Sequence, residues 1–390
     1  MLKLGIVGYG GRGAGLVSLV EKLPLDASFV AIADTNVQAV RDRMATCKKD
    51  ASTVRVYDTA DAMLAREALD GVFVATRCSL HTEMALKVLA RKLPLYLEKP
   101  VATSFDDYRR LAAAARTARS ATMVSFPLRV TPVAMTARRI IQSGQLGDIT
   151  HVQATNNVPY GEVYYQTWYR DERETGGMFL QKATHDIDVV NVLLGEPEPV
   201  RVAAMCSKLV FRGEKPPGLL CVDCPEKLTC LESKFNPTAA TGAGLQAKPE
   251  QYRCCFAADT GNEDSGDAII EYATGVKANY SQNFYSRREA AMRRIRAIGH
   301  LGTIEFDWAT EQARVWMHHV SRVETYDCRS KGEGHGGGDA ALVMNFIECI
   351  KGHSESVSPL SAGLRSVLIC LLARESSRTG TFQAARAVTG

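Results

Sequence analysis

Three groups of residues have types and spacings suited to chemistry. The first is Gly8-x-Gly10-x-x-Gly13, with Gly11 and Arg12 inside it and Asp34 downstream. A glycine at position 8 permits a tight turn, one at 10 lets a pyrophosphate approach the backbone, and one at 13 lets a helix press on a sheet. Unbonded N–H groups at the start of that helix attract phosphate. A carboxylate about 20 residues past the glycines accepts hydrogen bonds from ribose hydroxyls. The same carboxylate repels a 2′-phosphate, so the pattern predicts NAD rather than NADP as cofactor.

The second group is polar and lies mid-chain. Lys182, His185 and Asp188 are spaced by three, which puts them on one face of a helix. An imidazole titrates near neutrality without tuning and suits a general base. Lys182 is placed to bind a hydroxyl or an anion, or to lower the pKa of the histidine by like-charge repulsion. Asp188 is placed to orient the imidazole, whereas Asp186 is off that face and is expected to be solvated or paired. Lys99, between Glu98 and Pro100, ends an apolar run; the proline restricts its backbone to extended conformations, and its charge suits a developing alkoxide. Tyr160, Tyr164, Tyr165, Trp168, Tyr169 and Arg170 crowd one loop, where aromatic faces and polar rims suit a sugar. Asn156, Asn157, Arg129 and His81 are further candidates. His335, in the glycine-rich run from Gly334 to Gly338, is expected to close over substrate, with Asp339 capping the next helix.

The third group is Cys221-x2-Cys224-x5-Cys230, with Cys254-Cys255 downstream. Three thiolates in a short loop and one from Cys254 are a candidate structural zinc site, in which the metal would hold an insertion too small for its own core. A disulfide, free thiols and an iron–sulfur cluster are the other readings of the same spacing.

Positioning these residues requires two kinds of sheet. Apolar runs at Leu2 to Val7, Phe29 to Ala33, Val54 to Tyr57, Gly71 to Ala75, Pro94 to Leu97 and Thr122 to Ser125 alternate with helical patterns. That rhythm predicts a doubly wound, mostly parallel sheet over residues 1–126. Thr76 to Leu80 follows the fourth run at the carboxyl end, where such sheets bind ligands. From 127 to 390 the rhythm changes to strands in succession, including runs at Tyr252–Ala257, Asp267–Tyr272 and Val276–Asn283. They predict an α/β domain with a largely antiparallel open sheet. Gly176 to Leu194 reads as one helix, Ala340 to Ile350 and Leu360 to Thr379 as closing helices, and residues 213–250 as an insertion. The chain has 390 residues and a formal charge of +4, too small to point to nucleic acid or an anionic membrane. No run approaches the roughly 18 apolar residues of a membrane span. The first residues enter a strand directly, so a cytoplasmic protein whose eleven cysteines are thiols or metal ligands is expected.

With these motifs in order, the chain resembles the Gfo/Idh/MocA family of glucose–fructose oxidoreductases and inositol dehydrogenases. GIVGYGGRG with Ala33-Asp34 matches its first motif, Glu98-Lys99-Pro100 its second, and Gly176-Gly177 leading to His185 and Asp188 its third. Two positions depart from the pattern: Thr76-Arg77 stands for the usual Thr-Pro, and Gln181 for an aspartate four residues before the histidine. The QKATHDID version is similar to a branch with Glu-Lys before the histidine. The resemblance implies an N-terminal Rossmann domain contacting NAD through the glycine turn, Asp34, Thr76, His81, Glu98 and Lys99. It implies a C-terminal domain that binds a carbohydrate and forms a homo-oligomer, dimer or tetramer, through its open sheet. His185 is then the base over the nicotinamide, assisted by Lys99 or Lys182, and a secondary hydroxyl of a sugar, inositol or sugar derivative is oxidised. Relatives that oxidise a ring hydroxyl transiently and release an aglycone provide the alternative, an NAD-dependent glycoside hydrolase. A non-enzymatic NAD-bound regulator is the remaining rival.

Overall fold

The computed structural model describes residues 1–46, 54–239, 251–329 and 335–389. From the amino terminus run β1 (Leu2–Val7), α1 (Gly11–Lys22), β2 (Ala27–Ala33), α2 (Val37–Thr46), β3 (Arg55–Tyr57), α3 (Ala60–Arg66) and β4 (Gly71–Val74). There follow α4 (His81–Ala90), β5 (Leu95–Leu97), α5 (Phe105–Thr117) and β6 (Thr122–Val124). The six strands form one sheet in the order β3-β2-β1-β4-β5-β6, every pair parallel. Burial of the central strands on both faces accounts for their unbroken apolar runs. Leu16, Val17 and Val20 on α1 close one side of that core. Ser104 caps α5 by accepting from Asp107 N at 3.1 Å, which explains where that alanine-rich helix begins.

Beyond Val130 the chain forms α6 (Pro132–Gln142), β7 (Ile149–Asn157) and two single turns, α7 (Val163–Gln166) and α8 (Glu172–Thr175). A π-helical turn, Phe179–Ala183, then runs into α9 (Thr184–Leu193). The segment expected as one helix from 176 to 194 is therefore three pieces: two glycines at positive φ (Gly176 +74°, Gly177 +93°), a wide turn, and an α-helix. Strands β8 (Pro199–Ser207), β9 (Ser265–Tyr272), β10 (Lys277–Asn283), β11 (Met292–Gly299), β12 (Gly302–Asp307), β13 (Gln312–Met317) and β14 (Val323–Asp327) follow. With β15 (Gln383–Ala384) they make a nine-stranded sheet ordered β14-β13-β12-β11-β7-β10-β9-β8-β15, in which only β7 and β10 pair in parallel. The tight β9–β10 hairpin turns at Gly275, φ +84°. Tyr252–Ala257, expected as a strand, is a series of turns with two isolated bridges, Arg253 to Leu220 and Ala257 to Lys215.

The chain closes with α10 (Gly338–Ile350) and α11 (Leu360–Thr379). One compact unit is Met1–Val130 with Gly332–Val367, and the other is Thr131–Lys331 with Leu368–Gly390. The sequence had placed everything after 126 in the second domain. The physical reason is α10, whose Leu342, Val343, Phe346 and Ile347 complete the core of the first unit. Phe346 meets Phe73 edge-on at 5.3 Å and Tyr96 at 5.6 Å, while Phe73 and Tyr96 stack at 4.6 Å. Among the described residues no helix is long and apolar enough to cross a membrane.

Candidate functional site

Each glycine of the elbow has a distinct steric reason to be there. Gly8 has φ +89°, and a Cβ on it would lie 2.7 Å from the Ala75 carbonyl oxygen. A Cβ on Gly13 would lie 2.2 Å from the Gly8 oxygen, so α1 packs there only without a side chain. A Cβ on Gly10 would meet nothing within 4 Å. Gly10 therefore borders open space, at the N-cap of a helix that begins at Gly11 with no side-chain cap. That is the arrangement a pyrophosphate requires. Asp34 reaches across from the end of β2: its Oδ2 accepts from Tyr9 N at 2.8 Å and its Oδ1 from Asn36 N at 2.9 Å. Two backbone donors thus fix the carboxylate beside the elbow, where adenosine ribose hydroxyls would be held. These residues fit NAD.

Arg12 points elsewhere. Its Nε donates to Glu98 Oε1 at 2.6 Å, and one Nη donates to Asp339 Oδ1 at 2.6 Å and to Ser125 Oγ at 2.9 Å. Those carboxylates hold the guanidinium charged, outweighing its burial. Arg12 is engaged between two anions, which agrees with a site for NAD rather than its phosphorylated relative. Asp339 lies in the first turn of α10, and Gly337 holds the N-cap position the sequence had given it.

Thr76 follows β4 at the carboxyl edge of the sheet, and His81 opens α4 beneath it. His81 is buried, with Nδ1 2.7 Å from the Pro100 carbonyl oxygen and Nε2 3.2 Å from that of Thr76. Burial lowers its pKa, against the raising effect of those carbonyls. It braces the Thr76 loop against the Glu98-Lys99-Pro100 loop. Arg129 is also structural in setting: it is buried, and an Nη donates to the Val357 carbonyl oxygen at 2.6 Å.

In the second unit the π-helical turn presents Lys182, and α9 carries His185 in its first turn; both side chains are buried. A π turn shifts the phase of side chains, and such turns recur at functional sites. Lys182 Nζ donates to Tyr160 Oη at 2.5 Å and to Tyr164 Oη at 3.3 Å. Asp186 is buried and paired, as one of the two outcomes expected for it. It accepts from Arg293 Nε at 2.6 Å, Asn156 Nδ2 at 2.9 Å and Tyr280 Oη at 3.0 Å. Asp188 is buried on the same helix. Arg293 and Tyr280 were not singled out in the sequence, because each lies on a different element from the helix it meets.

Two residues expected to line a sugar have other duties. Tyr165 is fully buried, packs on Phe211 at 4.3 Å between ring centres, and donates to the Glu263 carbonyl oxygen at 2.6 Å. Arg170 is buried and donates to the carbonyl oxygens of Tyr165 (3.0 Å) and Cys254 (3.1 Å), Asp259 Oδ1 (2.7 Å) and Thr260 Oγ1 (2.9 Å). It binds the cysteine-bearing segment to the aromatic loop. Trp168 stacks on Tyr169 with 3.9 Å between ring centres. His335 falls in a short 3-10 turn, and its side chain lies outside the described residues.

The cysteine insertion does not form the expected zinc centre. Among the described residues no group of three or more His, Cys, Asp or Glu side chains is arranged to hold a metal ion. Cys221, Cys224, Cys230 and Cys254 are unbridged thiols, and burial pushes the Cys221 thiol up to about 11. Largely buried ion pairs tie the insertion to its surroundings: Lys234 with Glu162 at 2.9 Å and Arg287 with Glu232 at 2.6 Å. The thiols of Cys224, Cys230 and Cys254 nonetheless lie near enough to add to the effect of burial on Cys221, so the spacing does bring them together without forming a group that holds a metal.

Comparison with known proteins places these features in context. Residues 2–126 match the model of an oxidoreductase family, NAD-binding Rossmann fold, and residues 138–385 that of the C-terminal alpha/beta domain of the same Gfo/Idh/MocA family. YteT of Bacillus subtilis, named as an oxidoreductase, is 27% identical over 342 residues, covering 78% of this chain and 79% of that protein. An inositol 2-dehydrogenase of Rhizobium meliloti is 27% identical over 208 residues, 52% of this chain and 59% of the relative. This second match thus spans little more than half of each protein. A solved levoglucosan dehydrogenase, in complex with NADH and levoglucosan, superposes with a TM-score of 0.76 at 18% identity, covering 98% of this chain and 99% of that one.

Proposed function

This chain belongs to the Gfo/Idh/MocA oxidoreductase family, and on that footing we propose that it is an NAD-dependent oxidoreductase acting on a secondary hydroxyl of a sugar, inositol or sugar derivative. The observation that carries the reading is the glycine elbow, open at Gly10, with Asp34 fixed beside it and Arg12 drawn onto Glu98 and Asp339. When bound, NAD supplies the acceptor for the hydride. The rest falls to side chains of this chain. The start of α1 attracts the pyrophosphate, and Asp34 accepts from the ribose hydroxyls. Lys99 offers positive charge to the oxygen that becomes an alkoxide. The hydroxyl proton passes to a side-chain base, for which His185 and Lys182 with its phenols are the candidates. The inositol dehydrogenase and levoglucosan dehydrogenase likenesses favour a ring polyol.

The test is a panel of sugars, inositols and aryl glycosides, with NADH absorbance and aglycone release followed in parallel. Net NADH from at least one polyol is expected. Aglycone released with no net NADH assigns the glycosidase reading instead, and neither signal, with NAD bound, overturns both.

A further inference from the structure

We propose that Tyr160 is the group that receives the proton of the reacting hydroxyl, with the ammonium of Lys182 beside it. This rests on the reading of the chain as a polyol oxidoreductase and assigns its acid–base step. Lys182 is 5% exposed on the π-helical turn, whereas Tyr160 is 37% exposed. The ammonium lies 2.5 Å from the Tyr160 oxygen, 3.3 Å from that of Tyr164, and 4.5 Å from the centre of the Tyr160 ring. Tyr164 is fixed in turn by edge contacts with Tyr169 at 5.2 Å and Phe284 at 5.4 Å. The lysine is thus held against the phenol oxygen, and of the two the tyrosine is the more exposed.

An ammonium has three N–H donors and no acceptor. Two of them go to the two phenols, which leaves one donor beside the Tyr160 oxygen. An ionised Tyr160 adds an acceptor at the same place. One donor and one acceptor side by side match a single alcohol, which donates to Tyr160 Oη while accepting from Lys182 Nζ. As the substrate O–H bond breaks, its proton forms the O–H bond of Tyr160, and the alkoxide is left facing the ammonium. The carbon–hydrogen bond then leaves with its electron pair as hydride to NAD⁺, the oxidant of the proposed activity, and the carbon–oxygen double bond closes. The proton departs from Tyr160 to water.

The charged groups acting on Tyr160 favour its ionisation. Lys182 pulls the phenol below its ordinary value; burial opposes this, Arg293 on β11 adds to the pull, and Asp186 on α9 opposes it. Asp186 is itself held by Arg293, Asn156 and Tyr280. The phenolate is the competent form, so oxidation should rise with pH through a value below that of an ordinary tyrosine.

Two measurements test the assignment. The first is an ultraviolet phenolate titration of the protein without cofactor, for wild type, Tyr160→Phe and Lys182→Met. One phenol should ionise ahead of the rest in wild type, be absent from Tyr160→Phe, and move upward in Lys182→Met. The second is kcat/KM against pH for whichever polyol the panel finds. Tyr160→Phe should lose about 100-fold or more, the scale of general acid–base catalysis, with NAD affinity unchanged. Lys182→Met should shift the rising limb to higher pH, and His185→Asn should keep the limb. A Tyr160→Phe enzyme within about threefold of wild type, or an early phenol that survives this substitution, overturns the role. So does a limb lost in His185→Asn and kept in Tyr160→Phe. A wild type inert across the panel sinks the oxidoreductase reading and this role together, whereas an active wild type with an unimpaired Tyr160→Phe sinks the role alone.

Discussion

A single methyl group separates the duties of Gly10 and Gly13. At Gly13 it would strike the Gly8 oxygen at 2.2 Å, closer than real carbon contacts allow. Gly13→Ala should therefore cost at least the roughly 1–3 kcal/mol of an overpacked core, read as a lower melting temperature. At Gly10 the methyl meets no protein atom within 4 Å. Gly10→Ala should melt like wild type while NAD affinity falls about tenfold, equivalent to about 1.4 kcal/mol. Equal melting losses in the two variants would refute this division. Asp34→Ala should weaken NAD further and cost about 1 kcal/mol of stability through its two backbone hydrogen bonds; calorimetry with and without NAD separates the two effects. These roles were legible in the sequence because a backbone requirement leaves a local trace, here glycine at fixed spacing before a helix. The setting of Arg12 was not legible. Its partners Glu98 and Asp339 lie 86 and 327 residues away, and no local pattern announces them.

At the level of elements, periodicity located α9 but not the wider turn ahead of it. Both conformations bury apolar residues at nearly the same spacing, and only the hydrogen-bond ladder tells them apart. Composition was misleading in the aromatic loop. Tyr165 and Arg170 have the types found around sugars, yet Tyr165 fills a core with Phe211 and Phe284, and Arg170 fastens the cysteine segment through four oxygens. Arg170→Met should accordingly destabilise the protein by about 2–4 kcal/mol, several hydrogen bonds to partly buried acceptors being lost at once. Its KM for substrate should stay near wild type in preparations that remain folded. A variant of full stability with a greatly raised KM would return Arg170 to the binding site. The cysteines show the limit of motif reading. Their spacing was visible and the thiols do lie near one another, but whether they close to metal-ligand distances depends on turns between them that spacing does not encode.

For the whole molecule, the two kinds of sheet were legible because each has its own rhythm, whereas the packing of α10 on the first unit was not. Nothing in α10 marks it as belonging with residues 250 positions and more earlier, since an apolar helix face names no partner. The partner is the aromatic group of Phe73 and Tyr96, onto which Phe346 closes. Phe346→Ala should cost about 3–5 kcal/mol and weaken NAD binding only through the fraction unfolded. Residues 1–130 expressed alone should fail to give a cooperative unfolding transition, and adding residues 332–367 by a flexible joint should restore it. A fragment 1–130 that melts cooperatively and binds NAD would contradict this. The same packing has a consequence during synthesis. A ribosome delivers the chain from its amino terminus, so the nucleotide half is begun first and finished last. Its aromatic patch stays uncovered while the intervening unit of some two hundred residues is made, and chaperones have that interval in which to hold it.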